Sequence, residues 1–258
     1  MKSTLKTALY AALLFLPVVA FGAEAAHGAA KKQTLINVYQ EGGWVMHFLL
    51  ACSVAMVWLI IDISLRTTRK RMTPPADVAT ARQAFLAGDY VGAYQAMKAG
   101  TSPFCEVVRG ALGSVGHGKD ATEEALYVTV EKINSTLQTR INYLSVIGVC
   151  APMIGLLGTV GGMKGAFGAL GTSGADVGAL AGHIGEVLVA TATGLLVAIP
   201  AFGSFYFLRN KLQGAIHNLQ DESERLFRNA PYEYLQNADV GQEETFAALP
   251  NWIESPEG

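Results

Sequence analysis

Two long runs of apolar residues without a single charge, at about 141–163 and 187–208, dominate the second half of the chain. Each is about as long as the twenty or so residues that a helix needs to cross a bilayer core at 1.5 Å per residue. A helix at the surface of a soluble protein would show polar residues with a period of 3.6, and neither run does. The pattern therefore predicts two membrane helices that form an antiparallel hairpin.

A third apolar run precedes these two, which brings the predicted number of transmembrane helices to three. Their predicted bounds are 42–65, 141–164 and 184–208. A basic cluster at 66–71 follows the first span, and Arg209 and Lys211 follow the last, whereas the connector at 165–183 has neither lysine nor arginine. Because positive charge is retained on the cytoplasmic side, the connector is predicted to be periplasmic and both basic ends cytoplasmic.

The first 25 residues, 1–25, have the pattern of a secretory signal peptide. Lys2 and Lys6 precede an apolar run at 8–20, and small residues follow at positions suited to cleavage. The alternative is an uncleaved membrane anchor, which the shortness of the run disfavours. Cleavage would leave a periplasmic segment at 26–41 ahead of the first span, in agreement with the predicted orientation.

Outside the bilayer, the sequence predicts helices on the cytoplasmic side. Residues 66–140 are predicted to form a helical domain, with Asp77 and Asp89 as candidate N-caps. From Asp120 onward, apolar residues recur at three- and four-residue steps, so the second transmembrane helix is predicted to start about two dozen residues before the bilayer. The third is predicted to continue into the segment 209–258, whose polar end is expected to be poorly ordered. The apolar stripes of such extensions need neighbouring helices.

Composition supports a membrane protein and excludes several classes of function. Of the 258 residues, 51% are hydrophobic and only 16% are charged. A net charge of −2 argues against nucleic-acid binding. Cys52, Cys105 and Cys150 have no paired spacing, and we interpret the two in predicted membrane helices, Cys52 and Cys150, as small buried hydrophobic residues. The sequence has no metal-ligand or phosphate-binding pattern, so neither a metal nor a cofactor is predicted.

Small residues occupy one face of the second predicted span. Spaced at i, i+3, i+4 and i+7, they are Gly155, Gly158, Thr159 and Gly162. The structural explanation is close helix packing, in which glycines let two backbones approach each other. Gly194 of the third span is assigned the same packing role. Pro152 and Pro200, one in each helix, are predicted to kink the two helices.

Glu186 requires an explanation, because a polar group in lipid costs several kcal/mol unless it has a partner. Intramembrane carboxylates often mark ion or proton paths, and the alternative is an interfacial residue at the outer end of the helix. In a hairpin centred near residue 175, Lys164 and Glu186 reach the same depth, and Thr159 and Thr191 lie about 7.5 Å deeper. We hypothesise an outer charged layer above an inner hydroxyl layer.

Two motifs together resemble the MotA/TolQ/ExbB proton-channel family, closest to its ExbB and TolQ branch. One is APMIGLLGTVGGMKGAF at 151–167, and the other is EVLVATATGLLVAIP at 186–200. Their order and spacing match the family over about residues 42–230. The resemblance implies an all-α homopentamer in the bilayer, whose second and third helices line a central pore that encloses a dimer of a single-span ExbD/TolR-type partner. Lys164 stands where the family is expected to have an uncharged residue.

The resemblance also implies roles for individual residues and for the whole chain. The candidate residues of the proton pathway are Thr159, Glu186, Thr191 and Thr193. The implied function is not enzymatic. The chain would be a motor subunit of the bacterial inner membrane that uses the proton motive force to energise a TonB- or TolA-like protein spanning the periplasm, for import of nutrients across the outer membrane. The alternatives are a TolQ-like role in maintaining the cell envelope and a non-conducting membrane scaffold.

Overall fold

The computed structural model describes residues 43–173, 177–236, 238 and 240–241. Inside the helices, this description leaves out the side chains of residues 169–173, 177, 179, 180 and 186. The predicted signal peptide at 1–25, the predicted periplasmic segment at 26–41 and the end of the predicted tail lie outside the described residues.

Helices joined by turns and short connections make up the described part of the chain. They are α1 (Val45–Arg66), α2 (Arg69–Met72), α3 (Pro75–Ala87), α4 (Tyr90–Ala99), α5 (Pro103–Gly113), a 3₁₀ helix (Val115–His117), α6 (Lys119–Ser173) and α7 (Val177–Phe227). Three of them, α1, α6 and α7, contain stretches long and apolar enough to cross a bilayer. For the residues that the structure describes, the prediction of an all-helical protein with three helices able to cross a membrane is therefore confirmed.

The connector between the second and third spans differs from the sequence-based prediction. The prediction of a loop of about twenty residues at 165–183 is wrong, because α6 continues to Ser173 and α7 begins at Val177. The glycine-rich sequence favours a loop, since each glycine costs a helix about 1 kcal/mol relative to alanine. Alanines and leucines alternate with these glycines, and the two helices pack against each other as far as Gly165 and His183. The helix propensity of the alanines and leucines, together with this packing, outweighs the cost of the glycines.

The contacts divide the chain into two compact units, which we describe separately. The membrane unit comprises the described residues up to Thr68 together with Asn134–Ala215. The helical unit comprises Arg69–Ile133 and the described residues from Ile216 onward. Both long helices, α6 and α7, contribute residues to each unit.

Polar contacts hold the C-terminal end of α1 to both long helices within the membrane unit. The carboxylate of Asp62 accepts from Nε of Arg66 at 2.8 Å and from Nη1 of Arg140 in α6 at 3.3 Å. Lys211 in α7 donates from Nζ to the carbonyl oxygen of Ser64 at 3.1 Å and to its hydroxyl at 3.3 Å. A lysine placed here satisfies one of the last carbonyls of a helix, which have no partner inside it. We call Asp62, Ser64, Arg140 and Lys211 the α1 clasp.

Short helices form the core of the helical unit. The fully buried side chains of α5 include Phe104, Val108 and Leu112. The predicted N-cap Asp89 is confirmed, because its side chain accepts from the backbone N–H of Gly92 at 2.8 Å. The prediction of Asp77 as an N-cap is wrong. Asp77 lies in the first turn of α3, which begins two residues earlier because proline suits the first helical position, and it accepts from the hydroxyl of Ser102 at 2.7 Å.

The first residues after α7 pack on the helical unit, so the prediction of poor order is wrong for them. Leu235 and Val240 are buried. The chain passes so close to Gly116 that a Cβ there would lie 2.5 Å from the carbonyl oxygen of Ala238. The hydroxyl of Tyr232 donates to the carbonyl of Phe227 at 3.0 Å. Burial raises the pKa of Tyr232 to about 12, so this donor stays protonated at physiological pH.

The α1 clasp yields a test of how α1 is held to α6. Asp62 is 21% exposed and Arg140 is 41% exposed, so their ion pair is partly desolvated and is expected to contribute about 0.5–1 kcal/mol. A double-mutant cycle with Asp62→Asn and Arg140→Gln, measured as the free energy of unfolding in detergent, should give a coupling of that size. The matched cycle with Arg66→Gln should give about 0.3–0.5 kcal/mol, as for an exposed pair one turn apart. Strict additivity of Asp62→Asn and Arg140→Gln would contradict the clasp.

Candidate functional site: the contact between the second and third membrane helices

The second and third membrane helices touch through their backbones. A Cβ added to Gly155 in α6 would lie 2.9 Å from the carbonyl oxygen of Ala190 and 3.3 Å from Cα of Thr191. A Cβ added to Gly194 in α7 would lie 2.7 Å from the carbonyl oxygen of Ala151. Real Cβ atoms do not approach backbone this closely, so only glycine fits at either position. The two predicted packing glycines therefore lie directly against the opposite helix.

Two more glycines of α6 extend this contact toward the turn of the hairpin. A Cβ at Gly158 would lie 2.8 Å from Cβ of Ala190, and one at Gly162 would lie 2.6 Å from Cγ2 of Val187. The glycine seam, as we call this surface, consists of Gly155, Gly158 and Gly162 of α6 and Ala190 and Gly194 of α7. It is the face with almost no side chains that the sequence places on the second span.

The seam contacts fix the register of the hairpin. Gly155 lies opposite Thr191 and Gly194, and Gly162 lies opposite Val187. These pairs place the centre of the hairpin between Ser173, where α6 ends, and Val177, where α7 begins. The register agrees to within about one residue with the predicted centre near residue 175.

Each candidate threonine donates its hydroxyl proton to its own helix. Oγ1 of Thr159 donates to the carbonyl of Leu156 at 2.6 Å, and Oγ1 of Thr191 donates to the carbonyl of Val187 at 3.1 Å. Thr193 does the same to Val189 at 2.8 Å. A hydroxyl that has donated in this way still has lone pairs with which to accept from water or from a protonated side chain. All three side chains are partly exposed.

The three threonines do not share one position on the hairpin. Thr191 directly follows Ala190 of the glycine seam, and its Cα is 3.3 Å from a Cβ added to Gly155. Thr159 is one turn beyond Gly155 on the same helix, between Gly158 and Gly162 in sequence. Thr193 is two residues from Thr191 and therefore about 160° away from it around the helix axis of α7. The structure thus puts Thr191 at the helix contact and turns Thr193 away from it.

The predicted charged layer is only partly described. Lys164 is exposed at the outer part of α6. Residue 186 belongs to α7, directly before Val187, which faces Gly162. The two backbones are thus near the same level, and the pairing of the Lys164 and Glu186 side chains stays a prediction.

Both prolines lie inside long helices, where a proline removes one helical hydrogen bond. Pro152 is next to the seam, with its Cα 3.3 Å from a Cβ added to Gly194. The missing bond is the one to the carbonyl of Gly148, and a Cβ added to Gly148 would lie 3.0 Å from the ring of Phe202. Pro200 is buried. The predicted kinks stay predictions.

Two features of the membrane unit escape the sequence-based analysis. The contact between Asp62 and Arg140 joins residues 78 positions apart, and no local pattern indicates it. His183 lies against Gly165, where an added Cβ would be 3.1 Å from Cε1 and 3.2 Å from Nδ1 of the imidazole. The hairpin register could have revealed the second contact, since it brings residues 165 and 183 to nearly the same level.

Comparisons with known proteins agree on one family. A model described as the MotA/TolQ/ExbB proton channel family matches residues 95–221. A biopolymer transport protein ExbB of Xanthomonas campestris pv. campestris is 33% identical over 183 residues, which cover 64% of this chain and 72% of the relative. A biopolymer transport protein ExbB of Neisseria gonorrhoeae is 38% identical over 90 residues, which cover 33% of this chain and 41% of the relative.

The glycine seam predicts a sharp difference between glycines of the same membrane unit. Gly155→Ala should lower the free energy of unfolding by about 1–3 kcal/mol, because the new methyl group collides with backbone that cannot rotate away. Gly161 and Gly203 have no atom within 4 Å of an added Cβ. Gly161→Ala and Gly203→Ala should therefore be neutral or stabilising by up to about 1 kcal/mol. Thermal unfolding of the purified proteins in detergent measures the difference. Equal midpoints for Gly155→Ala and Gly161→Ala would contradict the seam.

Proposed function

The chain belongs to the MotA/TolQ/ExbB proton channel family, and from this membership we propose that it is the ExbB-like pore subunit of a proton-driven motor. In this proposal, protons move down their electrochemical gradient between α6, α7 and an ExbD/TolR-type single-span partner. The motion is passed to a TonB- or TolA-like protein that spans the periplasm. Import of nutrients across the outer membrane is the work that the motor supports.

The observation that carries the proposal is the contact of the Thr191 backbone with Gly155, which leaves the Thr191 side chain partly exposed beside the glycine seam. A scaffold needs the close backbone contact of Gly155 with α7 but has no use for a partly exposed hydroxyl on Thr191, the residue whose Cα makes that contact. Thr191 and Thr159 keep acceptor capacity after donating to their own helices. A hydroxyl can pass a proton between water and a carboxylate without carrying a charge itself, which suits a route through a low-dielectric bilayer.

The exposed face of α6 supports assembly of several subunits around an axis. Large apolar side chains spaced along this face are 47–66% exposed in a single chain, namely Met153, Leu156, Leu157, Val160, Met163 and Phe167. Lipid can cover part of such a surface, and copies of the chain can cover the rest. We propose a homopentamer whose second and third spans face the axis, with the partner's helices inside.

The basic residues support a defined orientation in the bacterial inner membrane. Arg140 and Lys211 of the α1 clasp and the exposed Arg209 lie at the same end of the membrane unit. In the proposed orientation this end is cytoplasmic, in line with the positive-inside rule. The turn of the hairpin and the mature N-terminus are then periplasmic, and the segments 66–140 and 209–258 are cytoplasmic.

The energy available is sufficient for such a motor. Moving one elementary charge through 100 mV releases about 2.3 kcal/mol. This is about four times the thermal energy, so repeated protonation of the partner's carboxylate can bias the direction in which the helices move.

Removal of the hydroxyls tests the pore assignment. Thr159→Val and Thr191→Val keep the size of the side chain but remove the acceptor, so both should abolish gradient-dependent transport while the complex keeps its size. Thr191→Ser should retain activity, because it keeps the hydroxyl. Thr139→Val is the matched control, since Thr139 also donates to its own helix, at 2.9 Å to Ser135, but precedes the predicted span. Transport in cells and the mass of the purified complex are the measurements. Normal activity of both valine variants at 159 and 191 would remove the assignment.

Charge reversal tests the outer charged layer. Lys164→Glu and Glu186→Lys should each reduce gradient-dependent transport, because each leaves two like charges near the outer end of the hairpin. The double variant restores one positive and one negative charge and should recover more activity than either single variant. Equal loss in all three would show that the two residues do not act as a pair.

A further inference from the structure

The outer end of the contact between α6 and α7 differs chemically from the rest of that contact. Gly158 and Gly162 receive the aliphatic side chains of Ala190 and Val187, and Gly155 receives backbone. Beyond them, Gly165 receives the imidazole of His183. Helix α7 opens with glycine, alanine, valine and leucine, and His183 is the first titratable residue in it. The imidazole of His183 is half-buried at this position.

At the opposite end of the contact between α6 and α7, a glycine packs against an apolar ring. A Cβ on Gly148 would lie 3.0 Å from Cδ2 and Cε2 of Phe202, and a Cβ on Gly165 would lie 3.1 Å from Cε1 and 3.2 Å from Nδ1 of His183. Both glycines make room for a flat ring on α7. At the end near the α1 clasp the ring is a phenyl group, and at the end near the hairpin turn it is an imidazole. A phenyl ring is enough to fill the space beside Gly148. Packing alone therefore does not explain why the ring beside Gly165 is an imidazole, which can also bind and release a proton.

His183 is placed in line with the proposed pathway. Residues 183, 187 and 191 lie on one face of α7, because residues four and eight positions apart are close to one and two helical turns apart. Thr191 is therefore about 12 Å deeper than His183 on the same side of the helix, and Glu186 is between them in depth. This rise of about 12 Å is longer than a direct hydrogen bond, so a proton passing between the two residues would need intervening water.

We propose that His183 is the residue through which protons enter the pathway from the hairpin end, held in place by the absence of a side chain on Gly165. This inference rests on the proposed function. Imidazole is the only side chain that normally gains and loses a proton between about pH 5 and 8, so it can take a proton from periplasmic water and release it inward. The charged residues closest to this contact in sequence are Lys164, which precedes Gly165 on α6, and Glu186, three residues after His183 on α7. From α1, the side chain of Val45 lies 3.5 Å from a Cβ added to Gly158 of α6, which is about two turns from Gly165.

The experiment uses native cells that carry each variant at the chromosomal locus, so that the complex and its partner are intact. Proton entry is measured as the fall in cytoplasmic pH after external acid pulses, recorded with a pH-sensitive fluorescent protein over about pH 5.5–8.5. His183→Phe keeps a ring on Gly165, as Phe202 does on Gly148, and His183→Gln keeps a polar side chain. Both should slow proton entry about tenfold or more and flatten its dependence on pH in this range.

Two controls separate a relay from a packing role. His47→Phe removes an exposed histidine of α1 that is not on the α6–α7 contact, and it should leave the rate and the pH profile unchanged. His183→Ala opens a gap beside Gly165, and added imidazole should restore proton entry in this variant but not in Thr191→Val. Rescue by a proton carrier is not expected if the ring only fills space.

Specific outcomes would overturn the inference. Wild-type proton entry in His183→Phe, or a reduced rate with an unchanged pH profile and no rescue by imidazole, would show that the ring only packs. Failure of all His183 variants to assemble would assign the residue a structural role. If Thr159→Val and Thr191→Val block transport while the His183 variants are normal, only this inference fails. If the threonine variants also conduct normally, the proposed function fails with it.

Discussion

The contact between the backbones of α6 and α7 is the constraint on which the rest of the membrane unit depends. In lipid, no hydrophobic driving force brings two apolar helices together, so their association relies on dispersion and on how closely they approach. Gly155 and Gly194 permit that approach, because each lies within van der Waals distance of the opposite backbone. The same contact brings Thr191 to the interface. The backbone that carries the Thr191 hydroxyl is therefore part of the closest approach between the two helices.

The α1 clasp completes the unit at the other end. Asp62 and Ser64, both on α1, receive Arg140 from α6 and Lys211 from α7. Glycine contacts hold α6 to α7 without directional bonds, whereas the clasp uses charge-assisted hydrogen bonds that fix orientation as well as distance. The subunit thus has a tightly packed hairpin with α1 anchored to it. In the proposed motor this arrangement concentrates movement between the hairpin and the partner's helices and leaves the subunit itself unchanged.

Much of this architecture could be predicted from the sequence, because the bilayer imposes simple requirements. The two charge-free runs around Gly155 and Gly194 had to be membrane helices, and their motifs together identified the family. The sequence-based predictions were wrong where tertiary contacts determine the local structure. The glycines between Gly165 and Ser173 favour a loop by propensity, yet the helix continues. Asp77 has the chemistry of an N-cap, but a proline placed earlier starts the helix. The clasp joins Asp62 to Arg140, and no sequence pattern indicates how two separate helices are rotated toward each other.

The most direct test of the central claim is an electron cryo-microscopy structure of the complex in a lipid nanodisc. The account predicts several copies of the chain around an axis, with Thr159 and Thr191 lining an inner passage that holds the helices of a single-span partner. Density for water or for the partner's acidic side chain should lie near these hydroxyls. A structure in which Thr159 and Thr191 face lipid, or in which a single copy encloses nothing at its axis, would contradict the account.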